Sequence, residues 1–323
     1  MPEGGKGGCL GCSFPVLIGV LLVFLVLFAV GFASGPLGKS MLGDLGLPSW
    51  LSVPQPHPEL PAEVAFHLFG FPITNSIIGA WLTIIVLVGF SYIVTRRIKL
   101  IPGRLQSAYE FLLGWLYDLC QQVAGEENGR RFFPVVTTIF LFVAFNAWLG
   151  LLPGFGSILI TNAEGESVPL LRAANTDINM PLALALMSFV FVEYFGIRLR
   201  GGFRYLSKFI NVGQFFSSVG QLFRGKVKAG LSGLITGVIN IFVGFLETLS
   251  ELVRIVSFTF RLFGNMTAGE ILLVIAMFLV PWLFALPFYG LELLVGFVQA
   301  LIFAGLTLVF LTVATAGHEA EAT

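Results

Sequence analysis

The sequence predicts an all-α protein that crosses a membrane five or six times. Only 11% of the 323 residues are charged, 56% are hydrophobic, and the mean hydropathy is +0.92. An ordinary soluble domain is about 25% charged, and so few charges could not cover the surface of a soluble chain of this length. Apolar stretches of about 20 residues, enough to cross a bilayer core of about 30 Å as a helix, recur along the chain.

Composition and motifs exclude several other classes of protein. Acidic and basic residues balance at 18 each, which gives no electrostatic indication of nucleic acid. The sequence contains no P-loop, no Gly-rich dinucleotide motif and no His-Glu-x-x-His pair, so we expect no cofactor. Cys9 and Cys12 have the spacing of metal ligands, but no second ligand pair accompanies them, and we expect no metal site.

The N-terminal part is divided into an apolar segment and a linker. Phe14–Phe32 is almost purely apolar and fits either a signal peptide or a retained first span. Pro36–Phe71 is rich in Pro, Gly and Ser, which predicts an extramembrane linker. We therefore assign 1–58 to this N-terminal region, 59–317 to the membrane domain and 318–323 to a C-terminal tail.

The second span is followed by a helix of a different kind. Asn75–Thr95 is apolar and ends in a basic cluster that begins at Arg96. Positive charge collects on the cytoplasmic side of membrane proteins, so this end faces the cytoplasm. Leu105–Val123 mixes apolar residues with Glu110 and Asp118, which predicts an amphipathic helix on the cytoplasmic surface.

Three further segments complete the predicted topology around the longest apolar region. Phe133–Leu152 is the third span, an outer loop follows over Leu159–Asn175, and Pro181–Ile197 is the fourth span. Basic residues again follow the fourth span, as the alternation of sides requires. Phe288–Ala316 is the last span, which places the C-terminus in the cytoplasm.

Gly237–Val280 is too long for one upright span. As a single helix rising about 1.5 Å per residue, it would be roughly 65 Å long, about twice the thickness of the bilayer core. Two arrangements remain open. The segment is either a steeply tilted helix along a partner, or a hairpin with a turn near Gly264 and Asn265.

Ionisable residues inside this segment point to a function. Each costs at least a few kcal/mol at membrane depth, so they must face protein or water. At about 100° per residue, Glu247 lies within about 40° of the Arg261 face and Glu270 lies roughly opposite. This arrangement predicts two aqueous approaches separated by a positive barrier. The ionisable residues are Glu247, Glu251, Arg254, Arg261 and Glu270.

Two polar residues stand out in the last span. Glu292 lies alone in an apolar helix, either near the outer water interface or on a path for protons. Gln299 fits a hydrogen-bond partner between helices.

The run SFTFRLFGNMTAGE at Ser257–Glu270 closely resembles subunit a of F-type ATP synthases. Further blocks resemble that family in the same order, and the resemblance covers about residues 60–317. These blocks are FPITN at Phe71–Asn75, PGRLQSAYE at Pro102–Glu110, NAWLGLLP at Asn146–Pro153, TDIN at Thr176–Asn179 and QALIF at Gln299–Phe303.

The resemblance implies a proton-translocating stator subunit in a bacterial inner membrane, not catalytic by itself. It implies a long, tilted helical hairpin that faces a rotating ring of c subunits, each with one membrane carboxylate. Protons would enter by one half-channel, neutralise a ring carboxylate, and leave by the other after nearly a full turn. The other implied partners are b-type peripheral stalk subunits and the remainder of the ATP synthase complex.

The resemblance also assigns roles by position. Arg261 resembles the essential coupling arginine, with Asn265 and Gln299 as its polar neighbours. The outer half-channel would contain Glu270, Glu292, Asp177, Asn179 and Asn146, and the inner one Glu247 and Glu251. Some relatives carry His at the Glu270 or Glu292 position. If these two carboxylates lie close together, they would share a proton.

The residues themselves leave simpler roles open. Asp177 and Asn179 could cap the fourth span, Glu251 could be a surface or interface charge, and Arg254 could pair with a nearby glutamate. A secondary transporter is the alternative function, and a membrane scaffold is a third. Transporters usually show internal repeats and helices broken by Gly or Pro at midplane, whereas this chain shows no repeat and its charged segment contains no proline.

Overall fold

The computed structural model describes most of the chain. The described residues are 14–43, 46, 48, 51, 53, 55, 61–96, 98–152, 154–161, 165, 167–202, 205, 217–218 and 227–315. Cys9, Cys12 and the tail at 318–323, with its predicted cytoplasmic side, lie outside these residues.

Helices make up most of the described chain, as the sequence predicts. Six of them are long and apolar enough to cross a membrane. The helices are α1 (Phe14–Ser34), α2 (Pro36–Leu42), α3 (Asn75–Thr95), α4 (Arg104–Ala124), α5 (Glu126–Gly150), α6 (Asn179–Arg200), α7 (Val227–Leu279) and α8 (Leu286–Thr315), and all but α2 and α4 are candidate spans.

The amphipathic helix α4 packs against α5. Leu116 and Cys120 of α4 are fully buried, while Phe111 is exposed. Gly129 of α5 lies so close to the Cys120 carbonyl that a Cβ there would be only 2.8 Å from its oxygen. Burial raises the pKa of the Cys120 thiol to about 11, which keeps the thiol protonated and unreactive at neutral pH.

Two connecting regions contain more structure than the sequence predicts. The expected linker Pro36–Phe71 includes α2 and the strand β1 (Val64–Leu68), which pairs antiparallel with β2 (Phe71–Thr74). The expected outer loop contains a second antiparallel hairpin, of β3 (Leu159–Thr161) and β4 (Ser167–Pro169). Pro and Gly mark turns, and they do not distinguish an open linker from a short hairpin.

Helix α5 begins seven residues before the predicted third span. Its first turns are polar, so hydropathy alone misses them. Glu127 and Arg131 pair across one turn at 2.6 Å, which supports a helix that extends beyond the apolar stretch. Pro134 lies inside α5, and the Thr138 hydroxyl donates to its carbonyl oxygen at 2.7 Å.

The long apolar segment is one continuous helix, so a turn near Gly264 and Asn265 is wrong. Helix α7 contains 53 residues, which corresponds to about 80 Å at 1.5 Å per residue. It ends just before Pro281, where a helix cannot continue because proline restricts the residue before it. A short 3₁₀ turn, Trp282–Ala285, then leads into α8. The tilt of α7 in a membrane stays a prediction.

The chain divides into two compact units. One contains Met1–Pro61 and Met266–Val295, and the other contains Ala62–Asn265 and Gly296–Thr323. In the first unit, α1 ends against the segment that joins α7 to α8. The Pro281 carbonyl oxygen occupies the place that a Cβ on Gly31 would take, so only glycine allows this approach.

Candidate functional site

Arg261 lies at the border between the packed and exposed faces of α7. Phe258, three residues earlier, packs on Phe303 and Phe310 of α8 with ring centroids 4.8 and 5.7 Å apart. The Arg261 side chain is half-exposed, and its Nη2 donates to Ser257 Oγ at 3.3 Å. Its guanidinium lies 5.9 Å from the centroid of the Phe258 ring.

A row of exposed apolar side chains runs along α7 and ends at Phe260, the residue before Arg261. We call it the arginine face. Each of its members exposes about half of its surface in the isolated chain, as do many large apolar residues of α1 and α3. Its members are Leu246, Leu249, Val253, Val256 and Phe260.

The predicted polar neighbours of Arg261 differ in their exposure. Asn265, one turn after Arg261, is exposed. Gln299 on α8 is buried, with 8% of its surface accessible. The structure therefore places one of these amides on the outside of α7 and the other inside the packed part of the same unit.

Glu251 and Arg254 form an ion pair on α7 in which Glu251 is buried and Arg254 is half-buried. Arg254 Nη1 lies 2.6 Å from Glu251 Oε2, and the Arg254 guanidinium stacks over the Phe310 ring at 3.6 Å. Glu251 retains only 4% of its accessible surface, so it is not a surface charge. The pairing predicted for Arg254 is confirmed. Glu247, one turn earlier, is half-buried.

Several polar side chains meet where α3, α5 and the start of α6 come together. Ser76 Oγ donates to Asp177 Oδ2 at 2.6 Å. Asn146 Nδ2 donates to Thr83 Oγ1 at 2.9 Å, and the Asn175 backbone N–H donates to Asn146 Oδ1 at 3.0 Å. We call these five residues the polar cluster. All five are buried.

Asp177 binds the first residue of α6, although the N-cap position is Ile178, which makes no side-chain cap. Its Oδ1 accepts hydrogen bonds from the backbone N–H and the side-chain amide of Asn179, at 3.1 and 3.0 Å. Asn179 itself is exposed. One oxygen of Asp177 therefore binds the start of α6 while the other binds Ser76 of α3, and its place in a channel stays a prediction.

The side chain of Glu292, on α8, packs against α7 at Gly269. Its carboxyl group occupies the space where a Cβ on Gly269 would lie, so α7 and α8 meet closely there. Glu292 is buried, and Glu270, the residue after Gly269, is half-buried. That the two carboxylates lie close together and share a proton stays a prediction.

The sequence interpretation missed two residues that the structure brings together. The Tyr205 hydroxyl donates to Glu193 Oε1 at 3.1 Å. Glu193 is the one acidic residue of α6, and an ionisable group within a span was the signal that could have identified it. Within the described residues, no group of three or more His, Cys, Asp or Glu side chains could hold a metal ion.

Comparison with known proteins identifies a family. A family model described as ATP synthase A chain matches residues 77–312. ATP synthase subunit a of Gloeobacter violaceus is 31% identical over 245 residues, which cover 76% of this chain and 85% of that protein. The Moorella thermoacetica protein of the same name is 28% identical, covering 80% and 98%. ATP synthase subunit a 3 of Pelobacter propionicus is 32% identical, covering 72% and 83%.

Proposed function

The chain belongs to the ATP synthase A chain family, and from this premise we propose that Arg261 is the residue through which it couples proton flow to rotation. The chain is the proton-translocating stator subunit and a multi-pass membrane subunit of the ATP synthase complex. The family disfavours the alternative of a secondary transporter. The proposal concerns which residues carry the protons and what they face.

The position of Arg261 beside the arginine face carries the proposal. The half-exposed guanidinium suits lipid poorly, because a charge in lipid costs several kcal/mol, and the exposed apolar row that ends at Phe260 suits water poorly. A partner with an apolar surface and a carboxylate at membrane depth would satisfy both. A ring of c subunits, each with one membrane carboxylate, has this chemistry.

Arginine suits the coupling role because its guanidinium does not lose its proton in proteins. It attracts a ring carboxylate that is ionised and has little hold on one that is protonated. A ring subunit therefore passes Arg261 in its ionised state and turns toward lipid once protonated. The fixed positive charge also opposes the passage of protons directly from one half-channel to the other.

The outer half-channel is assigned to residues that relay or orient protons. Glu270 and Glu292 supply carboxylates, and the hydrogen bonds of Asp177 and Asn146 support a path of ordered polar groups. Asn179 is exposed at the start of α6, where it can contact water. Buried polar groups in membrane helices mark such paths because each is expensive to bury without a function.

The inner half-channel is assigned to Glu247 and Glu251. Both lie on α7 before Arg261, one turn apart from each other. Glu247 is half-buried and can exchange protons with water, whereas Glu251 supplies a negative charge fixed by Arg254. The remaining assignments are b-type stalk subunits as partners, a bacterial inner membrane as the location, a cytoplasmic C-terminus, and ATP chemistry on other subunits.

Proton pumping in membrane vesicles that carry the whole complex tests the role of Arg261. Arg261→Ala is expected to assemble with its ring, lose ATP-driven pumping, and let protons leak passively. Arg131→Ala, which removes an exposed arginine from α5, is the matched control and is expected to pump normally. Intact pumping by the Arg261→Ala complex would overturn the proposal.

A further inference from the structure

We propose that Glu193 and Tyr205 form a proton-exchanging pair on the cytoplasmic side of the inner half-channel. The inference rests on the proposed function, because it extends the inner path that Glu247 and Glu251 begin. It adds a carboxylate from α6 to a path otherwise assigned to α7 alone.

The position of Glu193 along α6 supports this side of the membrane. Helix α6 ends in a basic last turn with Arg198 and Arg200, which marks its cytoplasmic end. Glu193 lies seven residues before Arg200, or about 10 Å along the helix. That depth is within the bilayer but close to cytoplasmic water. The Glu193 side chain is half-buried, so water can reach it.

Packing against Gly196 positions the Tyr205 hydroxyl for a hydrogen bond to Glu193. Its ring lies where a Cβ on Gly196 would be, and the residue retains only 1% of its accessible surface. Its hydroxyl donates to Glu193 Oε1 at 3.1 Å. A glycine on α6, one turn after Glu193, therefore provides the space in which the phenol approaches the carboxylate.

The phenol stays a hydrogen-bond donor at working pH. Burial raises the pKa of Tyr205, and the neighbouring Glu193 carboxylate raises it further. Glu251 and Arg254 of α7 also act on the pKa of the phenol, in opposite directions. The charged groups whose fields reach the hydroxyl are thus Glu193, Glu251 and Arg254. A protonated phenol can stabilise a carboxylate and reorient as it gains or loses a proton.

Glu193 and Glu251, the two carboxylates that act on the pKa of Tyr205, have different partners. Glu251 is tied to Arg254, which is itself stacked on Phe310, so this carboxylate is fixed in place. Glu193 is bound by a neutral hydroxyl, which accommodates either protonation state. A proton that leaves the inner path binds a Glu193 oxygen and then passes to cytoplasmic water. Glu193 is regenerated at each transfer, and no other reactant is needed.

The test compares variants of the intact complex in vesicles, with ATP-driven pumping divided by ATP hydrolysis. Glu193→Gln keeps the shape and removes the titrating group, and we expect roughly tenfold lower pumping, less than a positioned acid–base group contributes in enzymes. Glu193→Asp is expected to pump better than Glu193→Gln, although it fits the site less well. A purely structural role predicts the opposite order and would overturn the inference.

Tyr205→Phe provides a second, independent variant. It keeps the ring against Gly196 and removes the hydroxyl, and we expect about threefold lower pumping because one hydrogen bond to a carboxylate is lost. The matched control is Tyr194→Phe on the exposed side of α6, which is expected to pump normally. If Glu193→Gln does not assemble, native pumping by Tyr205→Phe overturns the inference.

Arg261→Ala, measured alongside, separates this inference from the proposed function. Lost pumping by Arg261→Ala together with native pumping by Glu193→Gln and Tyr205→Phe would overturn the Glu193 pair and leave the role of Arg261 intact. Normal pumping by Arg261→Ala would overturn both.

Discussion

The polar cluster and the arginine face belong to the same compact unit and are opposites in construction. In the polar cluster, buried groups on α3 and α5 and before α6 bind one another at 2.6 to 3.0 Å. At the arginine face, apolar side chains are exposed along α7 up to Phe260, and the Arg261 guanidinium binds Ser257, one turn back along its own helix. The groups of the first region find hydrogen-bond partners within this chain, apart from the buried Asn175 Oδ1, whereas for the second region we propose a partner subunit.

This difference separates residues that shape the subunit from residues that act on its partner. A polar group whose hydrogen bonds lie inside the chain contributes to folding, so its loss lowers stability first. A charge at an exposed surface contributes little to the stability of the fold. Its loss is therefore expected to change function in the assembled complex and to leave the stability of the subunit nearly unchanged. The predictions below test this separation, from the largest expected effect to the smallest.

The largest effect is expected from Arg261→Lys. Lysine keeps a positive charge in water but can lose its proton in an apolar site, so the barrier and the attraction for the ring carboxylate both weaken. We expect an assembled complex whose ATP-driven pumping is lower by roughly tenfold or more. Arg131→Lys on α5 is the control. Native pumping by Arg261→Lys would show that charge alone suffices.

The next prediction compares an asparagine of the polar cluster, Asn146, with an exposed asparagine of α7, Asn265. Asn146→Leu removes hydrogen bonds to Thr83 and Asn175 and is expected to lower the free energy of unfolding by about 2 kcal/mol. Asn265→Leu, at an exposed position, is expected to leave it unchanged. Thermal unfolding of the purified complex in detergent measures both. Equal losses of stability in the two variants would contradict the proposed difference between the polar cluster and the exposed surface of α7.

A smaller effect is expected at the contact between α7 and α8 near Glu292. Gly269→Ala places a methyl group where the Glu292 carboxyl lies, so the carboxylate must move. We expect pumping to fall by about threefold, because a small displacement weakens a proton-transfer contact. Gly290→Ala on α8 has open space around its added carbon and serves as the control. Equal pumping by the two variants would argue against a role for Glu292 geometry.

The smallest effect concerns α1, which we propose is retained as a membrane span. Gly31 and Gly35 bring its end against the backbone at Leu279 and Pro281, and a removed signal peptide would have no use for that contact. Intact mass spectrometry of the mature subunit is expected to include α1. Gly31→Val is expected to lower the amount of assembled complex, because only glycine allows the approach to Pro281, without changing pumping per complex. A mature chain that begins after Ser34 would contradict this proposal.

Much of the fold could be predicted because a bilayer fixes the length of a span. The predicted second span, Asn75–Thr95, coincides with α3, and the amphipathic α4 differs from its prediction by one residue at each end. The polar first turns of α5 could not be found in this way, because their helix is stabilised by a local ion pair and packing and not by apolarity. The short hairpin at β1 and β2 was likewise hidden, because its backbone pairing leaves no apolar signal.

In the candidate site too, the sequence predicted some features, whereas others depend on the packing of distant segments. The motif around Arg261 is contiguous, so the sequence alone identified the arginine and predicted a charged path along α7. The partners of that path are distant in sequence: Ser76 and Asp177 are 101 residues apart, and Asn146 and Thr83 are 63 apart. Hydropathy and local spacing determined which segments enter the membrane and which helix carries the arginine. Only the tertiary structure decided that Arg254 stacks on Phe310 of α8 and that Glu193 binds Tyr205, because such contacts depend on how segments distant in sequence pack.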